Sequence, residues 1–250
     1  MQAVLYIGHG SRVREANKQA ADFLTKSMKE ISVPIQEYCF LELAEPTIAE
    51  GIARCAARGA SKIAVVPLLL LTAGHAKLDI PEALEKVKKE YPSIEFQYGR
   101  PLGVHDRIVD ILIERITEQK ISISNKTTVL LVGRGSSDPD SPRDLGVIAD
   151  MLKIKGGFQS VKTCFLAAAS PSFKEGLKNA IHSESRQIVV LPYLLFTGIL
   201  MKDMEKTIAA LDKNGKEIIL CNYLGYHQNL QTILADRVQE VINNQVYTTI

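Results

Sequence analysis

The chain repeats itself at half its length, and this restricts its fold more than any property of its composition. Displaced by 125 residues, the sequence meets itself without a gap in three separate windows. Val4-Leu5-Tyr6-Ile7-Gly8-His9-Gly10-Ser11 falls on Val129-Leu130-Leu131-Val132-Gly133-Arg134-Gly135-Ser136 with five identities in eight. Cys39-Phe40-Leu41, then Ala44, Pro46, Glu50 and Gly51, falls on Cys164-Phe165-Leu166, then Ala169, Pro171, Glu175 and Gly176. Ile63 to Leu70 falls on Ile188 to Leu195. A fourth pair, Leu102-Gly103-Val104-His105 and Leu224-Gly225-Tyr226-His227, matches after a three-residue slip. The polar stretch Ser122 to Thr128 is the expected join, which divides the chain into halves 1–124 and 125–250.

Each half alternates short apolar runs with helical periods. Residues 3–7 read as a buried strand, followed by Val13, Ala16, Ala20, Phe23, Leu24 and Met28 at helical spacing. Ile35 to Leu41 reads as a second strand, and Pro46 suits the start of a helix that runs through Ile48, Ile52 and Ala56 to a terminal Gly59. Ile63 to Leu71 is nearly all apolar, as a central parallel strand covered on both faces must be. Asp79 and Glu82 open the next helix, Ile94 to Tyr98 is a fourth strand, and Ile108, Ile111, Leu112 and Ile116 mark a last helix. This alternation predicts an α/β fold of two similar halves, each a mainly parallel four-stranded sheet flanked by helices, with the active site in a cleft between them.

Composition mainly excludes. With 30 basic and 28 acidic residues the net charge is +2, so no electrostatic footprint for nucleic acid exists. No apolar run is long enough to span a membrane, and no signal-peptide pattern precedes the first strand. Cys39, Cys55, Cys164 and Cys221 are widely spaced and form no C-x-x-C, which disfavours zinc or iron–sulfur ligation and suits buried thiols in a reducing cytoplasm.

Ligands of open parallel sheets gather beyond the carboxyl ends of the strands. His9, Glu42 and His75 follow the first, second and third strands, so the fold should bring them to one edge. Their partners in the second half are Arg134, Ala167 and Leu200, while Gly8, Gly10, Pro46, Pro67 and Thr72 all recur. A scaffold kept in both copies, with these polar groups kept in one, places the chemistry in the first half. Two imidazoles and a carboxylate suit Fe²⁺, Co²⁺, Ni²⁺ or Zn²⁺, and a neutral imidazole can also take a proton. Gly8-His9-Gly10-Ser11 and Gly133-Arg134-Gly135-Ser136-Ser137 each join a strand to a helix, as an anion-binding loop or simply as a tight turn. Arg134 is suited to a bidentate grip on a carboxylate. His105 and His227 occupy matched helix starts, which favours a shared structural role, and His182 lies at a polar helix end.

Gly8-His9-Gly10-Ser11-Arg12, Phe40-Leu41-Glu42 before Pro46-Thr47-Ile48, and Val65 to His75 before Asp79-Ile80-Pro81 together resemble the class II tetrapyrrole chelatases, nearest the branch that metallates sirohydrochlorin in bacilli. Gly133 to Asp140 and Pro192 to Gly198 extend the resemblance over nearly the whole chain. It implies insertion of Fe²⁺ into sirohydrochlorin with release of two protons, without nucleotide or any cofactor beyond the substrate metal. His9 and His75 are the implied metal-handling residues and Glu42 their acidic partner. Ser11, Arg12, Lys77, Arg134, Ser136 and Ser137 are expected to meet the substrate carboxylates, the last three making the second half substrate-binding. Cobalt-inserting relatives share the motifs. The absence of a His-rich or cysteine-bearing extension before Ile250 leans towards iron. A non-catalytic tetrapyrrole or metal carrier, and phosphoryl chemistry at His9, are the readings from other classes. The partners expected are the tetrapyrrole and a divalent metal, with no nucleic acid or membrane, acting on a cytoplasmic monomer.

Overall fold

The computed structural model describes Met1–Gln245 and Tyr247. In chain order its elements are β1 (Gln2–Gly8), α1 (Arg14–Lys29), β2 (Ile35–Phe40), α2 (Ile48–Ala57), β3 (Lys62–Leu68), a π-helical turn (His75–Asp79), α3 (Ile80–Lys88), β4 (Glu95–Tyr98) and α4 (Asp106–Thr117). The series then recurs as β5 (Thr127–Gly133), α5 (Asp140–Gly156), β6 (Ser160–Phe165), α6 (Phe173–Ile181), β7 (Gln187–Tyr193), α7 (Ile199–Ala210), β8 (Glu217–Leu220) and α8 (Gln228–Ile242).

The strands form two four-stranded sheets, ordered β2-β1-β3-β4 and β6-β5-β7-β8, with every pairing parallel. Registers repeat with the sequence: Ile7 lies between Cys39 and Pro67, and Val132 between Cys164 and Pro192. Residues 3–8 of β1 and 63–68 of β3 are buried without interruption, as central strands covered on both faces require. Ala16, Ala20, Phe23 and Leu24 form the buried stripe of α1 that their spacing predicts. The first core gathers Leu5, Ile7, Ile52, Ile63, Val65 and Leu84, and the second Leu130, Val132, Leu177, Ile188 and Val190.

Local readings need three corrections. β3 stops at Leu68, short of Leu71, because Leu69 and Leu70 turn their carbonyls to the amides of Leu102 and Gly103 at 2.9 and 2.8 Å. Pro46 is not in the first turn of α2. It precedes the N-cap in a cis Glu45–Pro46 bond, and Thr47 with Glu50 forms a capping box. Asp79 does not open α3 but closes the π-helical turn before it.

The compact units also differ from the halves 1–124 and 125–250. The first comprises Met1–Gly103 with the described residues from Leu230 onward, and the second Val104–Asn229. Each repeat therefore gives its last helix to the unit built on the other repeat's sheet: α4 belongs to the second unit and nearly all of α8 to the first. Matched arginines fix both helices. Arg237 of α8 donates from Nε to Pro101 O at 3.0 Å and from Nη2 to Leu102 O at 2.8 Å. Arg115 of α4 donates to Tyr223 O and Leu224 O at 2.9 and 2.8 Å. His105 and His227 have the shared structural role expected of them, since each Nδ1 accepts the amide two residues on, Arg107 N and Asn229 N, at 3.1 and 3.0 Å. Among the described residues no helix is long and apolar enough to cross a membrane.

Arg237 is 3 % exposed and burial presses its pKa down, and its removal strands two carbonyls in the interior and leaves Glu240 paired with Arg100 alone. Arg237→Ala should cost about 3–5 kcal/mol in urea unfolding, with Arg237→Lys recovering only part because an ammonium cannot form the fork. Glu240 is held below the usual carboxylate range, chiefly by its hydrogen bond from Arg100. A depressed folded-state pKa contributes stability that is complete above the unfolded value and lost as pH falls through the folded one. Stability measured across the acid range should therefore fall less steeply below about pH 4 in Glu240→Gln than in the wild type.

Candidate metal centre

The three parallel strands β1, β2 and β3 end level with one another, and each is followed by a residue that the sequence singled out. His9 leaves β1, Glu42 lies two residues past β2, and His75 opens the π-helical turn beyond β3. Their ligand atoms all lie within 4.8 Å of one another, and this is the candidate metal-holding group of the first unit.

Backbone pairing beyond the sheet fixes the first two. Leu41 N donates to Gly8 O at 2.8 Å and Glu42 N to His9 O at 3.1 Å, so the β1 and β2 exits run side by side past the last sheet rung. Gly10 makes that approach possible. It sits at φ +88°, and a Cβ there would lie 1.8 Å from Glu42 O. Gly135 repeats the arrangement at φ +89°, 1.8 Å from Ala167 O. The second glycine of each loop is thus explained by chain against chain, which removes the need for an anion-binding reading of the motif. Ser11 and Ser136 use their hydroxyl oxygens to accept Val13 N and Asp138 N at 3.1 Å each, leaving the O–H as a donor.

The hydrogen bonds decide the histidine tautomers. His9 Nδ1 lies 2.8 Å from Gly10 O, and His75 Nδ1 lies 2.6 Å from Asp79 Oδ2. A carbonyl and a carboxylate can only accept, so both Nδ1 atoms carry hydrogen and both neutral rings direct a lone pair from Nε2. Those two Nε2 atoms face each other at 3.0 Å, with the rings nearly perpendicular at 83°. Glu42 Oε1 stands 3.5 Å from His9 Nε2. Two lone pairs and a carboxylate converging on one point are satisfied by a cation, either a proton or a metal ion. Thiolates do not compete, because all four cysteines are buried, and burial pushes the thiols of Cys55, Cys164 and Cys221 up to about 12.

Asp79 was read as a helix-opening residue and is instead the group that orients His75. Its signal was present in the four-residue spacing, which puts both side chains on one face of a helical turn. Of the other expected site residues, Ser11 and Arg12 continue the His9 loop, and Lys77 is exposed in the turn that carries His75. Arg134, Ser136 and Ser137 lie in the matched loop of the second unit, with Arg134 and Ser137 exposed. His182 caps the carboxyl end of α6, its Nδ1 2.8 Å from Lys178 O.

Comparison with known proteins finds relatives over nearly the whole chain. The CbiX family profile matches twice, over residues 3–119 and 128–241. Sirohydrochlorin ferrochelatase of Priestia megaterium is 54% identical over 245 residues, covering 98% of this chain and 92% of that protein. Sirohydrochlorin cobaltochelatase of the same organism is 38% identical, covering 98% and 82%. The solved structure of SirB from Bacillus subtilis with Fe³⁺ superposes with a TM-score of 0.90 at 43% identity, covering 98% of this chain and 96% of that one.

Two substitutions test the construction of the centre. Gly10→Ala forces a left-handed alanine into Glu42's carbonyl and should cost at least about 1–3 kcal/mol in thermal unfolding while abolishing tight divalent-metal binding. Asp79→Asn keeps the shape but removes the charge behind His75. Its affinity for Co²⁺, followed by visible absorption, should fall about 10–100-fold with little loss of stability.

Proposed function

The chain belongs to the CbiX family of metal chelatases, and from that membership we infer that it is a sirohydrochlorin ferrochelatase, inserting Fe²⁺ into sirohydrochlorin and releasing two protons. The observation that carries this reading is the pair of Nε2 lone pairs directed at one point beside Glu42, in a first unit whose duplicate keeps the loops but not the ligands. Such a centre can hold a divalent ion weakly enough to give it up, because it offers three protein ligands and leaves coordination positions open.

The proposed reaction uses these groups in turn. His9 and His75 take Fe²⁺ from water and present it to the macrocycle through Nε2. The two pyrrole N–H bonds break as the iron–nitrogen bonds form, and their protons pass to Glu42 and to the imidazoles that the metal has left. General base assistance of this kind is typically worth about 10²–10⁴-fold. Ser11, Arg12 and Lys77, and on the second unit Arg134, Ser136 and Ser137, supply cations and hydroxyl donors for the substrate's carboxylates. Insertion of Co²⁺ is the alternative, supported by the 38% identity to a cobaltochelatase, since imidazole and carboxylate ligands suit both ions. Four buried free thiols suit a reducing, cytoplasmic setting.

The test is an anaerobic spectroscopic assay of sirohydrochlorin with Fe²⁺ and with Co²⁺. Wild type should turn over many equivalents, while His9→Ala and His75→Ala lose at least about 10²-fold in kcat/KM and melt near the wild-type temperature. Spectral change that stops at one equivalent of protein would mean a carrier instead.

A further inference from the structure

His75 stands on a segment with unusual backbone register. Ile80 N donates to His75 O, five residues back, which makes His75–Asp79 one π-helical turn before α3 takes up the ordinary register. That shift deprives the next carbonyl of a donor. In α register Ala76 O would receive Ile80 N, which is already committed to His75. In π register it would receive residue 81, which is Pro81 and has no N–H. Ala76 is fully buried, so its carbonyl cannot turn to water. Tyr98, at the end of β4 and itself fully buried, donates its hydroxyl to Ala76 O at 2.9 Å. Burial raises the phenol's pKa and keeps it a donor.

The duplicated half is a natural comparison. Its Leu200 replaces His75, its Met204 replaces Asp79, and its Lys206 replaces Pro81 under the same 125-residue shift. β4 and β8 pair identically, Val65 with Tyr98 and Val190 with Leu220, so Leu220 stands where Tyr98 does. There α7 is an ordinary helix, with Lys202 N bonded four residues back to Gly198 O. Where the histidine is absent, the aspartate, the proline, the tyrosine and the π turn are absent with it.

We propose that Tyr98 is a positioning residue for the metal centre, whose hydroxyl replaces the donor that Pro81 lacks and so holds the π register that aims His75 Nε2 at His9. The proposal rests on the reading of His75 as a metal ligand. Without the hydroxyl, Ala76 O is stranded, the turn slides towards α register, and the His75 ring rotates away from its partner.

Apo protein titrated with Co²⁺ alone, followed by its visible d–d absorption, tests this. Tyr98→Phe keeps the ring and should raise the Co²⁺ dissociation constant at least about 10-fold, and the KM for metal with it, while the KM for sirohydrochlorin stays unchanged. Adding Pro81→Ala supplies an N–H to Ala76 O, and the double variant should recover binding to within about threefold of wild type. Should Tyr98→Phe fail to fold, the double variant carries the test by the same criterion. Co²⁺ affinity in Tyr98→Phe within about twofold of wild type, whatever its melting temperature, overturns the proposal, as does a double variant that stays weak. His75→Ala separates the two levels: if it too leaves Co²⁺ binding intact, the ligand assignment fails rather than the positioning role.

Discussion

Two imidazole nitrogens held 3.0 Å apart, each with its proton committed on the far side of the ring, repel one another unless something positive lies between them. Much of the first unit is arranged to keep them there. The β1 and β2 exits are stitched past the end of the sheet, which sets His9 beside Glu42. A π turn and an aspartate four residues on set His75 opposite. A metal ion bound between such groups meets neutral lone pairs oriented in advance, with a carboxylate to balance charge, so little reorganisation is needed on binding or release.

The duplication separates scaffold from chemistry within one molecule. Gly10 and Gly135 pass the same neighbouring carbonyl at the same distance, and Thr47 and Ser172 cap matched helices through Glu50 and Glu175. These features serve the fold, because the second unit retains them without the ligands. His9, Glu42, His75, Asp79, Pro81 and Tyr98 have no equivalents there, as Arg134, Ala167, Leu200, Met204, Lys206 and Leu220 show.

The sheets were legible because parallel strands buried on both faces leave unbroken apolar runs, and Ile63 to Leu68 could hardly have been anything else. His9, Glu42 and His75 were legible because strand ends in such sheets share an edge, and the repeat marked which strand ends differ. The exchange of α4 and α8 was not legible. An amphipathic helix buries its stripe equally well on either copy of a duplicated sheet, and hydrophobic burial has no direction to choose between them. Arg115 and Arg237, reaching for carbonyls of the other repeat, are among the contacts that distinguish the two pairings, and their range in sequence is too long to read. The π turn was hidden for a different reason: its cause is a missing hydrogen on Pro81 and a hydroxyl supplied from a strand 22 residues from Ala76.

The central claim is that His9 and His75 hold a divalent ion through Nε2, with Nδ1–H pinned by Gly10 and Asp79. Nitrogen-15 NMR of histidine-labelled protein, before and after one equivalent of diamagnetic Zn²⁺, addresses it atom by atom. The account predicts that two Nε2 resonances move to the metal-bound range while their Nδ1 partners keep directly bonded hydrogens, and that His9→Ala and His75→Ala each remove one of the pair. Coordination through Nδ1, or Zn²⁺ binding that leaves both rings unchanged, would contradict it.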